Sequence, residues 1–337
     1  MFKKKLVGAF KKSMHNVTKS FLFALLVISS CSDFKRTKVL YFAHSLPVNH
    51  PVHKGIEKMK ESLERQSKGE LKIKIFPDGQ LGTEREVLEL LQFGSVTMTK
   101  VSAASMSNFA PEYQVVGIPY LFRDREHLFT VLESDIGRDL LESGSEFKLR
   151  GLCFYDAGVR NFYSKKKPII TPDDLNGMKI RTMNNQLSVD LVNVLGGSAT
   201  PMAYGELYNA LQQNIVDGAE NNIPSFVTSN HYEVCKYYSF NEHTMVPDVV
   251  VIGVKFWNQL NEQQRKWLQI AANQSVVEQK KSWNETVLKN MEMLSKANVE
   301  FFYPDKTEFS DKTDQLFSKL KEDAKMKGLI EKIQSMK

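Results

Sequence analysis

AYGELYNALQQNIVDGAENN, residues 203–222, decides the fold of this chain, because it echoes the earlier stretch EVLELLQFGSV, residues 86–96. Glu86, Leu91, Gln92 and Val96 recur at the spacing of Glu206, Leu211, Gln212 and Val216. Each copy has apolar residues at helical spacing, then a turn, then a β-branched run, which predicts a short amphipathic helix leading into a strand. Two such copies predict two related α/β lobes, and two lobes imply a cleft. The second copy ends in Glu220, Asn221 and Asn222, at the end of a strand-like element where open α/β sheets place ligands. The same residue types also suit a solvated turn.

The N-terminal residues are of a different kind. Lys3, Lys4, Lys5, Lys11, Lys12 and Lys19 precede the apolar run FLFALLVI, and Ser29, Ser30 and Cys31 follow it. Basic region, short apolar core and small residues are the order of a secretory signal. The run is well short of the roughly 20 residues a bilayer-spanning helix requires. These six lysines account for the whole net charge of +6, so residues 31–337 are formally neutral. A neutral body lacks the electrostatic footprint of a nucleic-acid binder. Beyond Cys31 only Cys153 and Cys235 remain. One falls in a strand-like run and the other in a helix-like one, so two separately buried thiols are expected, with a bridge as the alternative.

Working outward, residues 38–44 (KVLYFAH) read as the opening strand, 54–63 as a helix and 70–76 (ELKIKIF) as a second strand. Thr83 and Glu86 have capping-box spacing, and Gly94 is placed to end that helix. GLCFYD, residues 151–156, predicts another strand. Thr171, Pro172, Asp173 and Asp174 announce a helix that Gly177 closes, before the strand MKIRT, residues 178–182. This alternation predicts mostly parallel sheets with helices on both faces. Residues 254–303 contain neither glycine nor proline and carry apolar residues at helical spacing. They read as one long helix or two in series, less buried in the middle around Gln279, Lys280 and Lys281.

Arg160 and Arg181 stand out as candidate binding residues, since an arginine in an apolar strand must face solvent, a carboxylate partner or a ligand. A guanidinium grips a carboxylate through two parallel hydrogen bonds. His44, His50 and His53 raise a metal reading, but their spacing does not put them on one helical face and no cysteine or acid cluster joins them. Hydrolase elbows, phosphate-cradling glycine loops and zinc-protease motifs are missing from the sequence. A carboxylate pair drawn from Asp156, Glu220 and Asp248 is the remaining route to acid/base chemistry.

The blocks FPDGQLGTERE, NFAPEY with IPYLFRD, GVRNFYSKKKPI with TPDDLNGMKIR, and TPMAYGELYNALQQNIVDGAENN followed by EHTMVPD carry a family resemblance. In them the chain resembles the extracytoplasmic solute-binding proteins of TRAP transporters, the dicarboxylate-binding DctP type, and within these the sugar-acid binders. The resemblance implies a periplasmic-binding-protein-like (type II) α/β fold: two lobes joined by hinge strands, with a long helix crossing both. Expected boundaries are 1–30 signal peptide, 31–37 linker, 38–157 lobe I and 158–246 lobe II. Residues 247–286 would return to lobe I and begin the long helix, and 287–337 would finish it and pack across the lobes.

The resemblance further implies that Arg181 clamps the substrate carboxylate, assisted by Arg160, Asn221 and Tyr204, with His44, Ser102 and His243 toward the ligand's other end. Glu220 and Asn222 complete the expected site. Members that bind amines often carry an acid at the position of Ser102, which argues against an amino or sialic acid. Cys31 matches a lipobox, implying a lipid anchor as the sole membrane contact of a periplasmic protein. The expected ligand is a uronate such as glucuronate or galacturonate, or an aldonate; a C4-dicarboxylate (succinate, malate or fumarate) is the alternative. The expected partners are the small and large membrane subunits of the transporter, with no cofactor, metal or nucleic acid. A sugar-acid lyase or isomerase is the enzyme alternative, and a receptor feeding a sensor kinase a third.

Overall fold

The computed structural model describes residues 37–336, so the signal segment and Cys31 lie outside the described residues. Eleven strands build two sheets among those residues. In chain order β1 (Lys38–Ala43), β2 (Leu71–Phe76), β3 (Met98–Ser102) and β4 (Leu149–Tyr155) enter the first sheet. Then β5 (Arg160–Ser164), β6 (Lys179–Thr182), β7 (Ser198–Pro201), β8 (Gly218–Asn221) and β9 (Tyr237–Thr244) form the second. β10 (Asp248–Gly253) returns to the first and β11 (Glu300–Phe302) to the second. The spatial orders are β2-β1-β3-β10-β4 and β11-β9-β5-β8-β6-β7.

Both sheets are mixed, which corrects the expectation of mostly parallel pairing. β1 runs parallel to β3, and β6 parallel to β7 and β8, but β10 is antiparallel to β3 and β4 and β5 is antiparallel to β8 and β9. The antiparallel strands are the ones that carry the chain between the sheets. Helical crossovers impose parallel pairing only inside a lobe.

Both faces of each sheet are covered. Along β10, Val249 and Val251 pack into one apolar cluster and Val250 and Ile252 into another, as the period of two requires. The second sheet likewise sends Tyr163 and Ala219 to one cluster and Phe162 and Ile180 to another. Cys153 and Cys235 are free, buried in the separate clusters of the two sheets, as the sequence leads one to expect.

The sequence echo is a structural repeat. The carboxylate of Glu86 accepts from the Thr83 N–H at 2.8 Å and that of Glu206 from the Ala203 N–H at 3.0 Å. Leu91 and Leu211 are fully buried, and the left-handed turns fall on Gly94 (φ 83°) and Asn214 (φ 60°). The strands that follow, β3 and β8, run into Ser102 and Asn222, each of which caps the next short helix. Both halves therefore deliver a strand end and a helix start to the same place.

Two other elements differ from the sequence reading. The opening helix is Pro51–Gln66, longer than 54–63, because the His50 side chain caps it by accepting from the Val52 N–H at 3.2 Å. The segment after Thr171 is one 3₁₀ turn, Pro172–Leu175, since Gly177 at φ 75° ends it at once.

The glycine-free region is chiefly one helix, Glu262–Lys296. It packs Leu268, Ala271 and Trp283 on the first lobe and Leu294 on the second. Its middle is buried, contrary to expectation: Gln279 is fully buried, accepting from the Asp156 N–H at 2.9 Å and donating to the Asp156 carbonyl at 2.8 Å. A polar residue there reads as a solvent gap in sequence but is a clamp on the main chain between β4 and β5. Trp283 closes on the same crossing, where Gly158 has φ 61° and an added Cβ would lie 2.9 Å from the indole.

Candidate functional site

The crossing strands, the two strand ends and the long helix enclose a cavity of about 320 Å³ between the sheets. Arg160, Arg181, Tyr204, Asn221 and Asn222 line it from the second lobe, and Ser102 from the first. Residues distant in sequence, each at a strand end or helix start, are thus brought together.

The two arginines are in opposite electrostatic situations. Arg160 is buried and already neutralised: its Nε and Nη2 donate to the Glu220 carboxylate, Nη2 also to the Glu220 carbonyl at 2.9 Å, and Nη1 to Asn221 Oδ1 at 3.2 Å. Arg181, equally buried, has no carboxylate partner among the described residues. Its Nε and Nη2 donate to the Met202 carbonyl at 3.1 and 2.9 Å, two of its five N–H groups. Burial lowers its pKa from the ordinary value, opposed at longer range by the Glu220 carboxylate and reinforced by Arg160 nearby. The Tyr204 ring lies 5.8 Å from the guanidinium, with its hydroxyl donating to the Ser225 carbonyl at 3.2 Å. Such a cation is one carboxylate short.

Glu220, His44 and His243 do not reach the main cavity. Glu220 faces a smaller void that adjoins it across Arg160. His243 stands behind it, Nε2 3.4 Å from the carboxylate. Burial alone would raise the Glu220 carboxyl, but Arg160 and then His243 bring it down to about 2. A carboxyl held below its ordinary 4.5 stabilises the fold in full above that pH and loses this contribution as pH falls toward 2. Melting temperature should therefore fall between about pH 5 and 3, and Glu220→Gln should flatten that slope. An unchanged slope would remove Glu220 from the acid sensitivity.

His44 bonds His53 (Nε2 to Nδ1, 3.0 Å) beneath the cavity, and burial with Lys100 nearby lowers it to about 3. His50 takes the wall position instead, its Nε2 3.3 Å from Ser225 Oγ across the cleft. Asn108 Nδ2 bridges the same lobes by donating to the Asn184 carbonyl at 2.8 Å. Asp156, Glu220 and Asp248, weighed as an acid/base pair, are each held by a different cation: Arg125, Arg160 and Lys100.

Sequence reasoning passed over Glu84, Lys100 and His50 as wall residues, and Trp283 with them. Lys100 carries the signal that singled out Arg181, a cation inside an apolar strand. Glu84 lies inside the quoted block FPDGQLGTERE.

Comparison with known proteins agrees with this architecture. A profile described as "Bacterial extracellular solute-binding protein, family 7" (DctP) matches residues 42–323. A TRAP periplasmic solute-binding protein from Anaerococcus prevotii, solved with bound D-glucuronate, is 35% identical with a TM-score of 0.87, covering 88% of this chain and 97% of its own. One from Bradyrhizobium, in complex with D-galacturonate, is 34% identical with a TM-score of 0.87, covering 89% of this chain and 100% of its own. The C4-dicarboxylate-binding periplasmic protein DctP of Rhodobacter capsulatus is 32% identical over 241 residues, 70% of this chain and 71% of the relative. With its two mixed sheets, crossing helix and interlobe cavity, this chain belongs to the DctP family of bacterial extracellular solute-binding proteins, the binding components of TRAP transporters.

Proposed function

We propose that this protein captures a sugar acid, a hexuronate such as glucuronate or galacturonate or an aldonate, and delivers it to the small and large membrane subunits of a TRAP transporter without transforming it. Arg181 carries the reading: a buried cation that lines the cavity and lacks a carboxylate partner among the described residues calls for one from a ligand. Arg160, Asn221, Asn222, Tyr204 and Ser102 complete the contacts, and Glu220, His243 and His44 hold the wall from behind. The amide and hydroxyl groups suit a ligand rich in hydroxyls, since a buried hydroxyl left unpaired costs about 1–3 kcal/mol. Structures 34–35% identical to this chain hold uronates. The lobes close by a population shift toward the form whose contacts the ligand completes.

Among the described residues no helix is long and apolar enough to cross a membrane. Residues 1–30 act as the export signal and Cys31 as the lipid anchor in the periplasm; a labelled fatty acid that does not reach Cys31 would overturn the anchor. The ligand is tested by a thermal-shift screen of the purified protein against uronates, aldonates and C4-dicarboxylates. Saturation at a hundred times Kd stabilises by about 2.7 kcal/mol. A shift with a uronate or aldonate supports the reading. A shift with succinate or malate alone replaces it with the dicarboxylate alternative, and turnover of the bound acid would reveal an enzyme.

A further inference from the structure

The wall facing Arg181 has the opposite charge balance. Lys100, 3% exposed, lies 3.1 Å from Asp248 Oδ2 and 3.5 Å from Glu84 Oε1, so one cation is shared between two carboxylates. Glu84 also accepts from the Ser102 N–H at 3.2 Å and from Ser105 Oγ at 2.6 Å. Among the described residues Asp248 takes a bond on Oδ2 alone. All three side chains line the cavity. These three groups therefore carry one net negative charge and are rich in acceptors, with Asp78, Glu86 and Arg85 also on this wall, while on the second-lobe wall Arg181 is a buried cation and Glu206 an exposed acid, the Arg160–Glu220 pair cancelling itself.

We infer that Glu84 and Asp248 determine specificity: they accept hydrogen bonds from the hydroxyls of a ligand whose single carboxylate sits on Arg181, and they repel a second carboxylate at the far end. The inference rests on the sugar-acid reading above. A hydroxyl donates to a carboxylate, forming a charge-assisted bond. A carboxylate in its place brings a third negative charge to a lysine already offset twice, in a site where water screens little. Lys100 therefore cannot serve as a second clamp for a dicarboxylic acid. Asp248 fits this balance: burial, opposed by Lys100 and reinforced by Glu84, pushes it up to about 6. Specificity here is set by a repulsive element as well as an attractive one.

Calorimetric titration with the tighter-binding of D-glucuronate and D-galacturonate, against its own aldarate, reads the effect of a second carboxylate, and the matching aldonate, open-chain like the aldarate but with one carboxylate, controls for loss of the pyranose ring. The wild type should prefer the uronate by at least about 100-fold, and Asp248→Asn or Glu84→Gln should narrow that ratio at least about tenfold. Equal binding of the two acids by the wild type, or an unchanged ratio in both variants, overturns the assignment. Should the variants fail to fold, the wild type with deoxyuronates decides: at least one hydroxyl deletion should weaken binding about tenfold or more, and no loss at any position overturns the assignment. If succinate or malate binds and no sugar acid does, the functional reading itself falls. If uronate and aldarate bind alike, only the role of Glu84 and Asp248 falls.

Discussion

Arg181→Met is expected to weaken binding of the cognate acid by at least about 30-fold, equivalent to about 2 kcal/mol or more, while the ligand-free protein melts no lower than the wild type. The first half follows from leaving the ligand carboxylate against the buried end of the cavity wall without its cation. The second follows from the surroundings of Arg181: it is buried, no protein carboxylate pairs with it among the described residues, and its bonds go to one main-chain carbonyl. Removing an uncompensated buried charge relieves a desolvation cost. Methionine keeps much of the volume and contact with Tyr204. Calorimetry and ligand-free melting on one preparation check both halves. Retained affinity would sink the clamp, and a large loss of ligand-free stability would show Arg181 to be a structural cation.

Arg160→Met should behave in the opposite way, destabilising the ligand-free protein by about 3–5 kcal/mol, because it strands Glu220 in the interior. Glu220 is 3% exposed, and its remaining ionic neighbour, His243, is kept below its ordinary value by burial although Glu220 opposes this. Combining Arg160→Met with Glu220→Leu should recover most of that loss, since a buried ion pair replaced whole by apolar groups is often neutral or stabilising. Urea denaturation of the single and double variants gives the coupling directly. A single variant as stable as the wild type would mean the pair is solvated and does not hold this wall. Ligand affinity should fall in both, because Arg160 lines the cavity and orients Asn221. The arginines are thus told apart by stability without ligand.

Much of this was legible in the sequence because it is written in short-range patterns. The capping box at Thr83 and Glu86 and the helix end at Gly94 depend on neighbours a few residues away. The longer opening helix was less legible because its cap is a histidine side chain, an uncommon choice for that position. The polar face at Gln279 misled for a related reason: periodicity counts polarity, and a glutamine satisfied by a buried main chain looks the same as one satisfied by water.

By itself the sequence marked Arg181 and the Asn221–Asn222 pair as candidates, their place in one cleft being what the family resemblance implied, and it determined two related α/β lobes and a long helical region. Local periodicity and turn chemistry suffice for that, since they act between residues close in the chain. Only the tertiary structure decided which cations are already neutralised. Glu220 meets Arg160 across a separation of 60 residues, and Asp248 meets Lys100 from a strand that returns to the first sheet after crossing the second. Electrostatic energy depends on distance in space and on burial, neither of which a linear pattern carries. The fold alone therefore paired Arg160 with Glu220 and left Arg181 without a carboxylate partner among the described residues, the place proposed for the ligand's carboxylate.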